Sequence, residues 1–559
     1  MKILIEGEKY PIEHLERIFK SAQFYYPQGY QGIIKAVGYY HSLESNELVF
    51  MLPKVFMKDA EQTVWGVSKE ELCQIGERGT SVKHDKQLEW LRNLSIFFYK
   101  SLLLFRKKFP ESELINYSPT YQLKGLQTTQ QYSYLDIVLS FVSFYKKNSG
   151  HILYKHIDAV NANPKKPKWE KTVRKGNPIL IDEKTFVYDR VRSKNKAVDN
   201  DEELIVYFLS IVNYFNEQHS LGLHLDRIYP IVKGKRFVEL KKGGLQKLKK
   251  IKYRYFNDML KSMHNLCMIF FSQYDEASVK VQEDFITISS YNIVFEEMVD
   301  RLFSDELHEK SAGGVTLSQL KYNRDGKVID HLFDYTSLLD DSRIFYIGDS
   351  KYYKSGSQAH DLSRYKQFTY AKNVIQYNID QLNDGGKTCR PGLRYRDELT
   401  EGYNLTPNFF IYGHIGDPND YELNELRPNG DVVTSFHFRD RLFDRDTLFV
   451  HQYKINFLFV LKAYVTFSQG AVQKFRKQVR ETFRKEFLEY FSNQGRCGFE
   501  FYQLRQNIDP QIFVGQHFKL LNGKIYRTIH NQVLLAIATT ESNQELFELL
   551  ENFEPYILR

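Results

Sequence analysis

The chain is poor in cysteine, with four in 559 residues. Cys73, Cys267, Cys389 and Cys497 stand far apart and form no CxxC pair. That spacing argues against a structural zinc site and a disulfide framework, and it suits a reducing compartment. Long hydrophobic runs are missing as well. The longest, Ile455–Phe467, is interrupted by Lys462 and is too short to cross a bilayer. No secretory segment opens the sequence, so a cytoplasmic protein with no membrane partner is expected. A phosphate-binding loop is also lacking. Asn383–Thr388, NDGGKT, ends like one, but Gln381 stands where the first glycine is required, and the stretch leads into Arg390-Pro391 instead of opening a helix. No nucleotide bound by this chain is expected. Internal repeats and low-complexity tails are absent.

What is present in quantity is aromatic side chains, 15% of residues, and a modest positive charge of +8. The aromatics suit large mixed sheets and helix–sheet cores. The cations are clustered in Lys165–Lys175, Lys233–Arg254 and Lys474–Lys485. Interleaved with aromatic residues, such clusters suit contact with a phosphate backbone. The candidate DNA contacts are Lys168, Lys171, Arg174, Lys233, Lys235, Arg236, Lys241, Lys242, Lys249 and Lys250. In the third cluster Phe475, Val479 and Phe483 also form an ordinary core stripe, so a solvated helix face is the competing reading there. The length implies two to four domains. The pattern predicts a mixed α+β or α/β multidomain fold: a β-rich N-terminal region (1–115), a helical basic block (116–280), a mixed core (281–470) and an α/β extension (471–559) with strands around Phe499–Arg505 and Phe518–Tyr526.

The chemistry concentrates in Arg343–Lys354, RIFYIGDSKYYK. Ile344–Ile347 read as a buried strand. Side chains two apart on a strand share a side, so Asp349 and Lys351 project together while Ser350 faces away. A carboxylate can hold a hard divalent cation, and a neighbouring ammonium can polarise a water or stabilise charge on a phosphate. Upstream, Lys327–Leu339 reads as a second strand of an antiparallel hairpin, carrying Asp330 and Asp334 on one face. A tight turn at 340–343 puts Asp334 opposite Asp349; a longer loop puts Asp330 there. Asp330 is favoured because it directly precedes the apolar run His331-Leu332-Phe333. Ser289–Phe303 forms an amphipathic helix on which Glu296 or Glu297 can lean toward the hairpin. Ser363–Gln376 is a helix after it, and Asn408–His414 a further strand. Taken alone, Asp-Ser-Lys is equally the solvated end of an ordinary strand, and a glutamate beside an apolar helix stripe is usually solvated.

The order of acidic helix, Asp hairpin, D-x-K strand and polar helix resembles the PD-(D/E)xK nuclease superfamily. More narrowly it looks like the McrC and LlaJI-type restriction endonuclease subunits. The carrying residues are Phe295–Val299, Asp330, Ile347–Tyr353, and Tyr365-Lys366-Gln367 followed by Tyr370. Gly32–Phe56 is similar to the N-terminal region of LlaJI-type proteins. The resemblance implies a PD-(D/E)xK restriction-endonuclease-like core with Asp330, Asp349, Lys351, Glu296 and Gln367 as its catalytic set. Asp330 (or Asp334), Asp349, Glu296 and the main-chain oxygen of Ser350 would ligate Mg²⁺, with Mn²⁺ as the alternative ion. The departure is Ile329, where the superfamily often has proline. The implied activity is hydrolysis of double-stranded DNA in a restriction or anti-phage system, alongside a separate McrB-type AAA+ GTPase or ATPase. The competing reading is a non-catalytic nuclease-fold scaffold that binds DNA and a motor. Cleavage of RNA, or of a DNA site recognised independently, is a third.

Overall fold

The computed structural model describes residues 2–558 except 43–46, 75–82, 118–120, 123–130, 149–153, 162–166, 199–201, 220–222, 226–227, 273–282, 306–316, 322–327, 353–360, 384–391 and 493. The fold is a mixed α+β assembly of several sheets. The first sheet contains β1 (Lys2–Ile5), β2 (Val37–Ser42), β3 (Glu47–Leu52), β4 (Ile115–Tyr117) and β5 (Glu283–Ile288), in the order β1-β3-β2-β5-β4. Its strands are rich in β-branched and aromatic residues, and β2 is buried along its whole length. Helix α1 (Lys83–Lys108) packs on β2. β5 comes from beyond the boundary expected at residue 280. One continuous core runs from Ile3 and Phe50 through α1 to Phe295, Ile347 and Phe457, so the 1–115 and 281–470 spans share a hydrophobic interior.

The middle block contains α2 (Tyr134–Asn148), α3 (Glu203–His219), α4 (Lys235–Ile251) and α5 (Asp258–Ser272). Their apolar stripes meet around Phe141, Phe208, Phe215 and Phe270. This block is less purely helical than the sequence pattern implies. Between α2 and α3 lie two antiparallel pairs, Tyr154–Asn161 with Val191–Val198 and Ile179–Asp182 with Thr185–Val187. In the shorter pair, β-branched and aromatic residues flank a turn at Glu183-Lys184, which favours strand pairing over a helix.

The third sheet is built from β6 (His331–Thr336), β7 (Arg343–Lys351), β8 (Pro407–His414), β9 (Arg427–Pro428) and β10 (Leu448–Asn456), in the order β6-β7-β8-β10-β9, and a sixth strand, Val433–Ser435, also pairs with β10. β6 and β7 form the expected hairpin, and β7, β8 and β10 run parallel. Helix α6 (Tyr291–Phe303) precedes the hairpin, and α7 (Asp361–Asn383) lies between β7 and β8. Two further helices, α8 (Phe457–Thr466) and α9 (Gln469–Ser492), follow β10. α6, α8 and α9 cover one face of the sheet: Phe295 packs on Phe457, and Phe409 stacks on Phe483 with centroids 4.5 Å apart. Phe368 of α7 packs against Phe410 and Tyr412 on the other face. α8 absorbs the longest apolar run into this core, and among the described residues no helix is long and apolar enough to cross a membrane.

The C-terminal sheet takes the order β12-β13-β11-β14, from β11 (Phe499–Leu504), β12 (Ile525–Arg527), β13 (Val533–Ala538) and β14 (Phe553–Pro555). The strand expected at Phe518–Tyr526 is helical through Leu521. Asp509 caps the main-chain N–H groups of Gln511 and Ile512, and Pro510 opens α10 (Pro510–Leu521), so the helix start signal overrides the aromatic run.

Candidate functional site

The hairpin register decides which acid faces the D-x-K strand. His331 pairs with Gly348, the last pair at that end, so one step further puts Asp330 across from Asp349. Asp334 pairs with Phe345 instead, and its Oδ1 accepts a 2.6 Å hydrogen bond from Arg343 Nε. The connection loops between Thr336 and Arg343 and is not a tight turn at 340–343, because Ser337 and Asn404 build a polar cluster that holds it open. Lys321 Nζ fixes the approach to β6 by donating to the carbonyl of Asp330 at 2.9 Å while pairing with Asp300 at 2.7 Å. Ile329 is buried there.

Asp349 is buried, and Lys351 Nζ donates to its Oδ1 at 2.5 Å, as two side chains on one side of a strand can. The Asp330 carboxyl is held well above the usual carboxylate range, first by burial and then by the charge of Asp349 and a hydrogen bond to it. Glu296 is pushed up to about 7, again first by burial, with Asp349 adding to the shift and Lys351 and Lys366 opposing it. The Tyr370 hydroxyl is pushed up to about 12 by burial and by the charges of Asp330, Asp349 and Glu296. Three carboxyl groups, two ammonium groups and one phenol therefore share a single electrostatic neighbourhood. Glu297 does not join them, because it turns toward Lys108 of α1, 2.5 Å away.

Two other predicted residues are placed differently. Gln367 is fully buried, and its Nε2 donates to the Ile347 carbonyl at 3.1 Å and to Asn408 Oδ1 at 3.3 Å. It ties α7 to β7 and β8 rather than reaching the acids. Ser350 is buried, and its hydroxyl finds no partner among the described residues. The carboxyls crowd together with the ammonium groups of Lys351 and Lys366 to offset them, and such oxygen donors could hold a hard cation of the Mg²⁺ kind through one or two carboxylates, with water and phosphate oxygens completing its shell. Among the described residues no group of three His, Cys, Asp or Glu is by itself placed to hold a metal ion.

Of the basic clusters, α4 turns Phe237, Leu240, Leu245 and Leu248 inward and leaves Lys235, Arg236, Lys242, Lys249 and Lys250 exposed. Lys241 lies over the Tyr214 ring at 3.6 Å, and Lys233 pairs with Glu217 at 2.9 Å. Arg174 is exposed, while Lys168 and Lys171 are half-buried. The 474–485 cluster is mostly framework. Phe475, Val479 and Phe483 are core, Arg480 pairs with Asp305 at 2.6 Å, and Arg476 donates to the Arg301 carbonyl. Cys73, Cys267 and Cys497 are buried and form no disulfide among the described residues. Cys389 and most of Asn383–Thr388 lie outside the described residues.

Composition did not single out Lys366 as a site residue, nor Asp300, Lys321 and His331, which brace the start of β6. The i, i+4 spacing of Lys366 and Tyr370 was the readable signal for the first. The brace joins distant segments and leaves no local pattern.

No family model matches the chain, and no curated protein does. Among solved structures, a chain in a half-complex from the tetradecameric assembly of Thermococcus gammatolerans McrB AAA+ hexamers with bound McrC matches at 10% identity and a TM-score of 0.28, covering 86% of this chain and 99% of that one. A chain in the Thermococcus gammatolerans McrBC complex matches at 11% identity and a TM-score of 0.21, covering 55% and 89%. At these scores the superpositions assign no residue of this chain a role.

Proposed function

We propose that this chain is a Mg²⁺-dependent DNA endonuclease subunit with a PD-(D/E)xK-type centre. The observation that carries the reading is the convergence of Asp330, Asp349, Glu296 and Lys351 at the end of one hairpin, with both Asp330 and Glu296 driven toward protonation first by burial and then by the charge of Asp349. Asp330 and Asp349 would hold the ion, with the Ser350 main-chain carbonyl and Glu296 as further oxygen donors. A bound Mg²⁺ would supply Lewis acidity toward the scissile phosphate. Lys351 would release Asp349 to the ion and donate to the attacking water and the phosphate oxygen, orienting one and stabilising charge on the other. Gln367 would keep α7 seated so that Tyr370 and Lys366 face the carboxylates. Dependence on a separate McrB-type AAA+ motor is supported by the sequence resemblance to McrC and LlaJI-type subunits.

The test is Mg²⁺-dependent cleavage of plasmid DNA by wild type and Lys351→Ala, with and without the candidate motor and with GTP or ATP. A loss of at least ~100-fold in the variant, with fold and DNA binding retained, is expected. Equal cleavage by both proteins would remove this centre from the reaction. DNA binding without cleavage under any of these conditions would favour the scaffold reading.

A further inference from the structure

One row of the third sheet has a charge pattern that folding alone does not explain. Lys351 is the register partner of Tyr412, Tyr412 of Lys454, and Lys454 of Arg427, across β7, β8, β10 and β9. Register partners on neighbouring strands share a face, so all four project on the side of the sheet that carries Asp349. At the usual strand separation the row is about 14 Å long. Arg427 and Lys454 stand directly opposite each other in an antiparallel pair, where like charges are destabilising. Arg427 has partial relief from Glu425 at 3.6 Å. Lys454 is exposed and has no ion pair among the described residues. Protonation of His414, two residues along the same face from Tyr412, is opposed first by burial and then by both cations. Between the two cationic ends Tyr412 is buried against Phe368 of α7 and donates its hydroxyl to Gln452 at 3.0 Å.

An exposed repulsive pair at the edge of the sheet, beyond the part that Phe368 of α7 covers and in the same row as Lys351, is what a polyanion would offset. We propose that the backbone of the DNA strand being cut runs from Lys351 toward the exposed edge of this sheet, passing outside the buried Tyr412, with Lys454 and Arg427 holding phosphates further along the strand from the one at Lys351. This rests on the nuclease reading above. One DNA strand carries a charge about every 3.4 Å of rise, so a row of this length spans about four phosphates.

The test compares wild type with the Lys454→Gln/Arg427→Gln double variant in two measurements. The first is DNA affinity as a function of salt, made on the Asp349→Asn background so that no strand is cut. The second is thermal stability without DNA. The expected result is a log–log salt slope shallower by about 2, weaker binding to every sequence alike, and an unchanged or higher Tm. A merely structural role for the pair would lower Tm and leave the slope alone. An unchanged slope and affinity, with cleavage intact in the otherwise wild-type protein, would overturn the proposed path and leave the nuclease reading standing. A shallower slope in a protein that never cleaves DNA would keep the path as a DNA-binding surface and sink the nuclease reading. Failure of the wild type to bind DNA would overturn both.

Discussion

Asp330 and Asp334 lie four residues apart on one strand, yet their surroundings assign them different work. Asp330 meets Asp349, a group of the same sign; Asp334 meets Arg343. Asp330→Asn is expected to reduce Mg²⁺-dependent cleavage at least ~100-fold while leaving stability unchanged or raised, since it removes a buried like-charge contact. Asp334→Asn should do the reverse, lowering stability by about 1 kcal/mol through the loss of its ion pair and leaving most activity. Parallel denaturant unfolding and cleavage assays on the two variants check this; equal loss of cleavage in both would contradict the register argument. Asp349 and Lys351 were legible as a pair because strand alternation is local. The choice between Asp330 and Asp334 depended on loop length, which the polar residues Ser337 and Asn404 control from far apart in the chain.

Gly348 shows how a single element is made to hold its shape. A β-carbon there would run into the ring of Phe409, which is fully buried and stacked on Phe483, so neither ring has room to move. Gly348→Ala is expected to lower stability by about 1–3 kcal/mol and to displace Asp349, the next residue. Cleavage should fall with it, and Phe409→Leu in the same chain should recover part of both losses. Equal stability of Gly348→Ala and wild type in urea would refute the clash. The hairpin, α6, α7 and β8 were readable because each has a clear period of its own. The Tyr154–Asn161 and Val191–Val198 pair was not, because its partners are far apart and its strands are polar. β13 was not read at all, and α10 was misread where an aromatic run outweighed the Asp509-Pro510 start.

At the scale of the whole molecule, the helical block and the first sheet meet at a buried carboxyl. Asp284 of β5 accepts from the Tyr134 main-chain N–H of α2 at 2.6 Å and from the Tyr39 hydroxyl of β2 at 3.0 Å. Burial outweighs both bonds and pushes the carboxyl from 3.8 up to about 7. A raised folded value means that the stability from the protonated group is complete below about pH 4 and is lost as the pH rises to 7. The shift corresponds to roughly 4 kcal/mol. Asp284→Asn should flatten the pH dependence of unfolding between pH 4 and 7, measured by urea titration at several pH values; an unaltered slope would mean that another group carries it. The same joint explains why the domain boundaries were hard to read. Composition marks where a segment changes character, but not that β5 returns to complete a sheet begun at residue 2.

Tyr352 follows Lys351 directly, and its hydroxyl is gripped by Glu6 at 2.6 Å and by the main-chain N–H of Lys54 at 2.9 Å. On the other flank, Glu297 is clamped to α1 while its neighbour Glu296 looks into the acid cluster. The acid cluster is therefore bolted to the chassis of the first 108 residues at two points, each one residue away from a member of the cluster. Clipping off that N-terminal part would loosen the cluster along with its support.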